Sequence, residues 1–207
     1  MTVPTREKMI IGAADLLRRW GLHATSMREV VRHSNTPRGS IAHHFPGGKR
    51  QLLEAAVHHA GQEVSVPLEA LMREYGPLPG LERFVMQWRR MLKESGFEAG
   101  CAVLAVAVEK YVSDQREADP QQERQVQQQL LDQANDIFGE WRRIVSHALQ
   151  EAGSSPARAE SLALLTIASI EGSVALCRAA RSSEPLDRIW EELRLLLERE
   201  PGLSPRG

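Results

Sequence analysis

Cysteine and long apolar runs are scarce in this sequence of 207 residues. Its two cysteines, Cys101 and Cys177, cannot form a disulfide framework and are typical of a protein from a reducing compartment. The most apolar stretch, residues 162–177, contains Glu171 and is shorter than the roughly 18 residues that cross a membrane. The sequence also opens without the basic and apolar leader of a secreted protein. We therefore expect a soluble cytoplasmic protein that has no membrane partner.

Motifs of the common enzyme classes are missing as well. There is no Gly-x-Gly-x-x-Gly or Walker loop for nucleotides, no Gly-x-Ser-x-Gly for an activated serine, and no Glu-x-x-His pair for a di-iron bundle. Two pairs of adjacent histidines, at 43–44 and 58–59, point about 100° apart on a helix and cannot readily share a metal ion. We expect no enzymatic activity, no cofactor and no metal site, with a metal sensor as an alternative.

Charge is distributed unevenly along the chain. The first 60 residues contain nine Lys and Arg against four Asp and Glu, whereas residues 61–207 contain 17 basic and 23 acidic residues. A basic end joined to an acidic body favours a segment that binds a polyanion, attached to a body with another task. Chance variation of surface charge is the alternative explanation.

Helical periodicity extends over almost the whole sequence. We count about nine helices and no confident strand, which predicts an all-α fold. Apolar residues from Met9 to Trp20 follow one helical stripe, which Gly21 ends. The apolar run that begins near residue 101 suits a core helix over 99–116 better than a buried strand, because alanines interrupt it.

Residues 26–45 have the pattern of a helix-turn-helix. Ser26 and Glu29 fit a capping box at the start of one short helix. Asn35 tolerates the left-handed backbone of a tight turn, and Pro37 suits the first position of the next helix. Together with the first helix, these two short helices predict a three-helix unit whose last helix enters the major groove of DNA.

This last short helix has a polar outer face and an apolar back. Ile41 and Phe45 would anchor it, and Gly39 would let its backbone approach a duplex closely. Hydroxyls near the helix starts and the ammonium of Lys49 would contact phosphates. The predicted DNA-contact residues are Thr25, Ser26, Thr36, Pro37, Arg38, Gly39, Ser40, His43, His44 and Lys49. A small helical cap with a solvated basic face is the alternative.

These residues resemble the N-terminal signature of TetR/AcrR transcriptional regulators. The matching segments are Thr25-Ser26-Met27-Arg28-Glu29-Val30, Pro37-Arg38-Gly39-Ser40-Ile41, His43-His44-Phe45-Pro46-Gly47-Gly48-Lys49 and Leu52. The second and third segments, with residues 100–103 downstream, are most similar to the LmrA/YxaF-like branch of that family. The resemblance is specific over about residues 5–55, and the remaining helices and the total length agree more loosely.

Three positions depart from the family's pattern. Ala42 stands where family members usually have an aromatic residue that contacts the DNA backbone, so that contact would be weaker or would pass to His43 or His44. Asn35 replaces a usual turn glycine, and Thr36 replaces a small apolar residue. Asn35 can still adopt the left-handed backbone at modest cost.

The resemblance implies a homodimer in which residues 1–48 bind DNA and residues 49–207 bind a ligand and dimerise. It implies a repressor that a small molecule releases from a near-palindromic operator in double-stranded DNA, with a ligand-independent regulator as the alternative. Apolar stripes on the last two predicted helices fit an interface across a two-fold axis, although they also suit the core of one chain. The predicted interface residues are Leu165, Ser169, Gly172, Leu176, Ile189, Trp190, Leu193 and Leu197.

Large apolar residues of the central helices are candidate walls of a ligand pocket, or else plain core. They are Trp88, Met91, Val108, Tyr111, Phe138, Trp141 and Leu165. Glu109 and Glu171 stand beside or within apolar runs, where a buried carboxylate needs a partner or a function. A salt bridge to Arg178 or another arginine is the first explanation for such a carboxylate, and recognition of a cationic ligand by Glu109 or Glu171 is the second.

Overall fold

The computed structural model describes residues 3–114, 119–200 and 203. Within these ranges the chain forms nine α-helices and no β-strand, which confirms the predicted all-α fold. The helices are α1 Thr5–Ala24, α2 Met27–His33, α3 Ser40–His44, α4 Gly48–Tyr75, α5 Pro77–Glu94, α6 Ala102–Val108, α7 Pro120–Glu151, α8 Pro156–Ala180 and α9 Glu184–Leu197.

Contacts between residues divide the chain into two compact units. The first unit comprises Met1–Gln62 and Cys101–Ile137, and the second comprises Glu63–Gly100 and Phe138–Gly207. The first unit contains α1, α2, α3 and α6, and the second contains α5, α8 and α9. Helices α4 and α7 contribute residues to both units.

Helix α1 is the central helix of the first unit and packs against α2, α3 and α6. As the apolar stripe predicts, Met9, Leu16 and Leu17 are buried, whereas Trp20 is half exposed and meets the edge of the His33 ring. At Gly21 the backbone leaves helical geometry with φ +82°, a conformation that side chains with a Cβ rarely adopt. The regular helix therefore breaks where the sequence predicts, and a short turn continues to the end of α1.

Helix α6 is much shorter than the helix predicted over 99–116. It extends only over Ala102–Val108, and the last two predicted residues lie outside the described part of the chain. After α6, the backbone of residues 109–114 bonds with side chains of α7 instead of continuing the helix. The Glu123 carboxylate, for example, accepts a hydrogen bond from the Ser113 amide (2.8 Å). Apolar composition predicts the helix but contains no signal for this distant pairing.

In the second unit, α9 packs against α5 and α8. Trp141 from α7 is almost fully buried, and its indole N–H donates a hydrogen bond to Ser65 Oγ (3.1 Å). Among the described helices, α8 alone is long and apolar enough to cross a membrane, and half of its apolar window is buried inside the protein. Burial to this extent is common in the core helices of proteins that never enter a membrane.

Candidate nucleic-acid interface

Helix α2 begins at a serine cap. Ser26 Oγ accepts a hydrogen bond from the Glu29 amide (3.2 Å), which is one half of the predicted capping box. The groups of the return bond have other partners, because the Ser26 amide donates to the Ala24 carbonyl (3.1 Å) and the Glu29 carboxylate accepts from Arg32 Nε (2.9 Å). The cap formed by residues 26–29 is therefore one-sided.

The turn between α2 and α3 depends on Asn35. Its φ of +50° is left-handed, as the sequence predicts. The Thr36 amide donates to the Val31 carbonyl (3.2 Å), which closes the end of α2. Helix α1 approaches this turn closely, since a Cβ added at Gly12 would lie 3.0 Å from Ser34 Cβ. The close approach sets the position of the turn against α1.

Helix α3 contains only Ser40–His44, so Pro37 precedes it instead of opening it, and that prediction is wrong. The Pro37 carbonyl accepts hydrogen bonds from the Ser40 amide (3.1 Å) and hydroxyl (2.7 Å), which forms a turn before the helix. A helix of five residues is not stable alone, and Phe45, only 1% exposed, anchors its end in the core as predicted. The Arg6 guanidinium lies 5.2 Å from the centre of the Phe45 ring.

The outer surface of α3 and its preceding turn is polar and accessible. Arg38 and His43 are exposed, and Ser40 and His44 are half-buried. The backbone of Gly39 is open, because an added Cβ would meet no atom of the described residues within 4 Å. These residues can therefore approach a duplex without a rearrangement of the core.

A groove of about 530 Å³ runs between α2 and α3. Three exposed arginines, Arg28, Arg32 and Arg38, line this groove together with Asn35, Thr36 and other residues of the two helices. Arg28 and Arg32 are missing from the predicted contact set, although their spacing of four residues places both on one face of a helix. Guanidinium groups suit both phosphates and the acceptor edge of guanine, so the arginine-lined groove has the chemistry of a DNA-binding surface.

Two predicted contact residues face the protein interior instead. Thr25 is fully buried, and its hydroxyl donates to the Gly21 carbonyl (2.7 Å). The Lys49 side chain is 6% exposed, and its ammonium lies 3.0 Å from Asp114 Oδ1 and donates to the Val112 carbonyl (2.8 Å). Neither side chain is available to a phosphate in this arrangement, which corrects the roles predicted for them.

Two other predicted contacts involve hydroxyls that are partly buried. Ser26 Oγ accepts the Glu29 amide and keeps its own O–H proton available as a donor. Thr36 Oγ1 lies 3.0 Å from Ser34 Oγ at the rim of the groove. A phosphate contact from Ser26 or Thr36 is compatible with this geometry.

The nine predicted pocket residues fall in different units, three in the first and six in the second. In the first unit, Val108 is 72% exposed and Tyr111 is buried. The Glu109 carboxylate accepts hydrogen bonds from the Leu22 and His23 amides (2.7 and 3.3 Å). Val108 is too exposed to be the wall of an enclosed pocket. The two hydrogen bonds from backbone amides give Glu109 a structural role in place of the predicted contact with a cation.

In the second unit, most predicted pocket residues lie inside. The buried or half-buried members are Trp88, Met91, Phe138, Trp141 and Glu171. Leu165 differs, because it is 43% exposed on α8 and cannot be the wall of an internal pocket. The Phe138 and Trp141 rings meet edge to face with their centres 5.2 Å apart.

The predicted dimer residues divide between core and surface. On α9, Trp190, Leu193 and Leu197 are at most 8% exposed, so they form the core of the second unit, which corrects their assignment to an interface. Ile189 on α9 and Ser169 on α8 are half-buried. The remaining residues, Leu165, Gly172 and Leu176 on α8, are exposed.

Helix α8 presents one continuous uncharged stripe to solvent, here called the α8 stripe. Its exposed members recur at helical spacing: Ser161, Leu164, Leu165, Ala168, Gly172, Ala175, Leu176 and Ala179. A Cβ added at Gly172 would meet no atom of the described residues within 4 Å, so packing within the chain does not require glycine there. At 1.5 Å per residue the stripe is about 27 Å long. It is thus a continuous surface patch, unlike the single exposed leucines that are scattered over most proteins.

Two further observations concern other ligands. The second unit has a groove of about 800 Å³ at the ends of α4 and α7, whose lining includes Met72, Arg73 and His147 and none of the predicted pocket residues. Among the residues that the structure describes, no group of three or more His, Cys, Asp or Glu side chains is placed to hold a metal ion.

The sequence matches two family models. Residues 10–56 match the model for bacterial regulatory proteins of the tetR family, and residues 77–192 match the model for the C-terminal domain of LmrA/YxaF-like transcriptional regulators. The first match contains α2 and α3, and the second contains α8. The arginine-lined groove and the α8 stripe thus lie within matched regions.

The similarity to several known proteins extends over nearly the whole chain. The uncharacterized HTH-type transcriptional regulator Rv0196 of Mycobacterium tuberculosis is 37% identical over 93% of this chain and 93% of its own. The HTH-type transcriptional regulator LmrA of Bacillus subtilis is 26% identical over 94% of this chain and 97% of its own. The regulatory protein TetR from Rhodobacter sphaeroides has the same fold, with a TM-score of 0.77 at 16% identity over 92% of this chain and 97% of that one.

Proposed function

Because the chain belongs to the TetR family of bacterial transcriptional regulators, in its LmrA/YxaF-like branch, we propose that it is a homodimeric repressor that a small molecule releases from DNA. Membership confirms the family predicted from the N-terminal motifs. It also makes the chain a DNA-binding regulator and not an enzyme. We place the protein in the cytoplasm, where bacterial DNA lies.

The arginine-lined groove between α2 and α3 is the observation that supports specific DNA binding most directly. Arg28, Arg32 and Arg38 surround it, and α3 extends beyond it as a short polar rod anchored at Phe45. The short rod suits the major groove, where guanidinium donors can read base edges. The proposed contact residues are Ser26, Arg28, Arg32, Thr36, Pro37, Arg38, Gly39, Ser40, His43 and His44.

The α8 stripe supports the dimer. Leucines stand near both ends of it, and the small residues Ala168, Gly172 and Ala175 between them would let a second α8 helix approach closely. Such a stripe is self-complementary across a two-fold axis, because each end meets the other end of its copy. A two-fold dimer spaces its α3 helices about 34 Å apart or a multiple of that distance, which requires a near-palindromic operator.

The interior of the second unit supports the proposed ligand pocket. Phe138 and Trp141 form one aromatic pair, and Phe84 and Trp88 form another with ring centres 6.3 Å apart. Buried Glu171 would give a cationic ligand an ionic partner. A ligand that binds better when the two α3 helices are out of register would shift the population away from DNA. If Glu171→Gln binds every inducing compound as tightly as wild type does, this residue is removed from the proposal.

Selection of bound sequences from a random DNA pool tests the function. The purified full chain should enrich one near-palindromic sequence, and light scattering should give the mass of a dimer. Arg38→Ala should fail to enrich the same sequence, while remaining folded and dimeric. A strictly monomeric protein, or a wild-type protein that enriches no sequence at moderate salt, would overturn the proposal. An operator–reporter fusion, repressed by the protein and released by a compound, tests the sign of regulation.

A further inference from the structure

The segment after α6, residues 109–114, is hydrogen-bonded on two sides within the first unit. We call it the connector segment. On one side its acidic side chains bond with backbone and side-chain groups of α1, α2 and α4. On the other side its backbone bonds with side chains of α7. The connector segment therefore links the helix-turn-helix with α7.

Glu109 holds the end of α1 through backbone amides. Its Oε2 accepts hydrogen bonds from the amides of Leu22 (2.7 Å) and His23 (3.3 Å), directly after the break at Gly21. A Cβ added at Gly21 would collide with the Glu109 carboxylate, so the glycine supplies both the left-handed turn and the space for this acid. Gly21 and Glu109 are thus fitted to each other, although 87 residues separate Leu22 from its acceptor.

Asp114 joins the starts of two other helices. Its Oδ2 accepts a hydrogen bond from the amide of Met27, the first residue of α2 (2.8 Å). Its Oδ1 lies 3.0 Å from the ammonium of Lys49, the second residue of α4. Because Ser26 already accepts from the amide of Glu29, the start of α2 receives one cap from its own chain segment and one from Asp114.

Side chains of helix α7 hold the backbone of the connector segment by hydrogen bonds. Gln127 accepts a hydrogen bond from the Tyr111 amide and donates one to the Glu109 carbonyl (3.2 Å), and Glu123 accepts from the Ser113 amide (2.8 Å). Three backbone groups of six consecutive residues are therefore bound by side chains of one helix. A segment held in this way can place its own carboxylates with little freedom.

We propose that Glu109 and Asp114 are positioning residues, which hold α2 and the start of α4 against α1 in the arrangement that reads DNA. The proposal rests on the proposed DNA-binding function. Both acids add negative charge close to a surface that binds a polyanion, and this charge opposes DNA binding. Removal of either acid is therefore expected to weaken sequence-specific binding, whereas general attraction to DNA should stay equal or increase.

Alanine variants of the two acids test this separation. Glu109→Ala and Asp114→Ala are compared with wild type on the operator duplex that the selection recovers and on a random duplex of equal length at the same salt. We expect each to bind the operator at least tenfold more weakly, while binding to random duplex stays equal or increases. Glu109→Gln keeps an acceptor oxygen and should remain within threefold of wild type. Glu7→Gln removes an exposed acid of α1 and is the control for charge alone.

A folded alanine variant that binds operator as tightly as wild type, or that loses operator and random binding in equal proportion, would overturn the inference. Hydrogen exchange of the wild-type protein provides a test that needs neither DNA nor an alanine variant. The amides of Leu22, His23 and Met27 should be protected, and exchange at the rate of open amides would also overturn it. If wild type enriches no sequence, the proposed function fails, and exchange still shows whether these amides are protected as the inference requires.

Discussion

Replacement of Lys49 by Met distinguishes two explanations for this cation at the start of α4. The sequence motif predicts a phosphate contact. The structure instead places the ammonium 3.0 Å from Asp114 Oδ1 and 2.8 Å from the Val112 carbonyl, with a side chain that is 6% exposed. Methionine keeps the long apolar stem of lysine and removes its charged end. Lys49→Met should therefore break an internal ion pair without changing the number of contacts with DNA.

The magnitude follows from how deeply each partner is buried. Removal of one partner of a buried ion pair costs about 3–5 kcal/mol. Because the Asp114 side chain is 32% exposed, water can solvate its carboxylate, and we expect a smaller loss of about 1–3 kcal/mol in the free energy of unfolding. For a chain of this size, a loss of about 2 kcal/mol lowers Tm by about 4–8 °C.

The salt dependence of operator binding provides the second measurement. Each phosphate contact contributes about 0.9 to the slope of log K against log salt, or about 1.8 for a dimer that loses two contacts. We expect Lys49→Met to keep the wild-type slope, with a lower Tm. The matched control Arg28→Met removes an exposed cation of the groove and should lower the slope by about 1.8 without changing Tm. A Lys49→Met protein with wild-type Tm and a slope lowered by about 1.8 would refute the internal pairing.

Three other predictions concern the groove, the α8 stripe and the thiols. If Arg38 reads a guanine, Arg38→Ala should reduce discrimination between operator and single-base variants by about 1–3 kcal/mol in a competition assay, and an unchanged preference would exclude that role. Leu176→Glu, which places like charges in the proposed interface, should weaken dimerisation by roughly 100-fold or more in sedimentation analysis, and the control Met86→Glu, at an exposed position of α5, should not. Both cysteines are buried, and burial raises the pKa of the Cys177 thiol, so a maleimide at pH 8 should label native protein slowly and unfolded protein at both thiols. Rapid labelling of native protein would contradict that burial.

Signals that act on their own backbone could be predicted from the sequence. Gly21 breaks α1, Asn35 takes the left-handed turn, and Ser26 caps α2, because each depends on the residue's own conformation or on an amide three residues away. Phe45 could be predicted as an anchor for a related reason, since a large apolar residue ending a short polar helix has no other favourable place.

Features that depend on distant partners could not be predicted in this way. Periodicity marks the apolar face of α9 but does not say what covers it, and Trp190 and Leu193 are covered by their own unit. The composition after residue 101 favours a long helix, yet Glu123 and Gln127 bind the backbone of the connector segment in another conformation. In this second case tertiary contacts outweigh a local helix preference of a few tenths of a kcal/mol per residue.

The distribution of charge also differs between the sequence and the folded protein. Along the sequence, the first 60 residues have five more basic than acidic residues, which favours a basic segment that binds a polyanion. The first unit also includes residues 101–137, which contain seven acidic and three basic residues, so the unit as a whole is close to neutral. Asp114 pairs with Lys49 on an inner face, whereas Arg28 and Arg38 stay exposed beside the groove. Acids from residues 101–137 thus leave the positive charge concentrated on the proposed DNA-binding face, and a polyanion would be attracted to that face rather than to the unit as a whole.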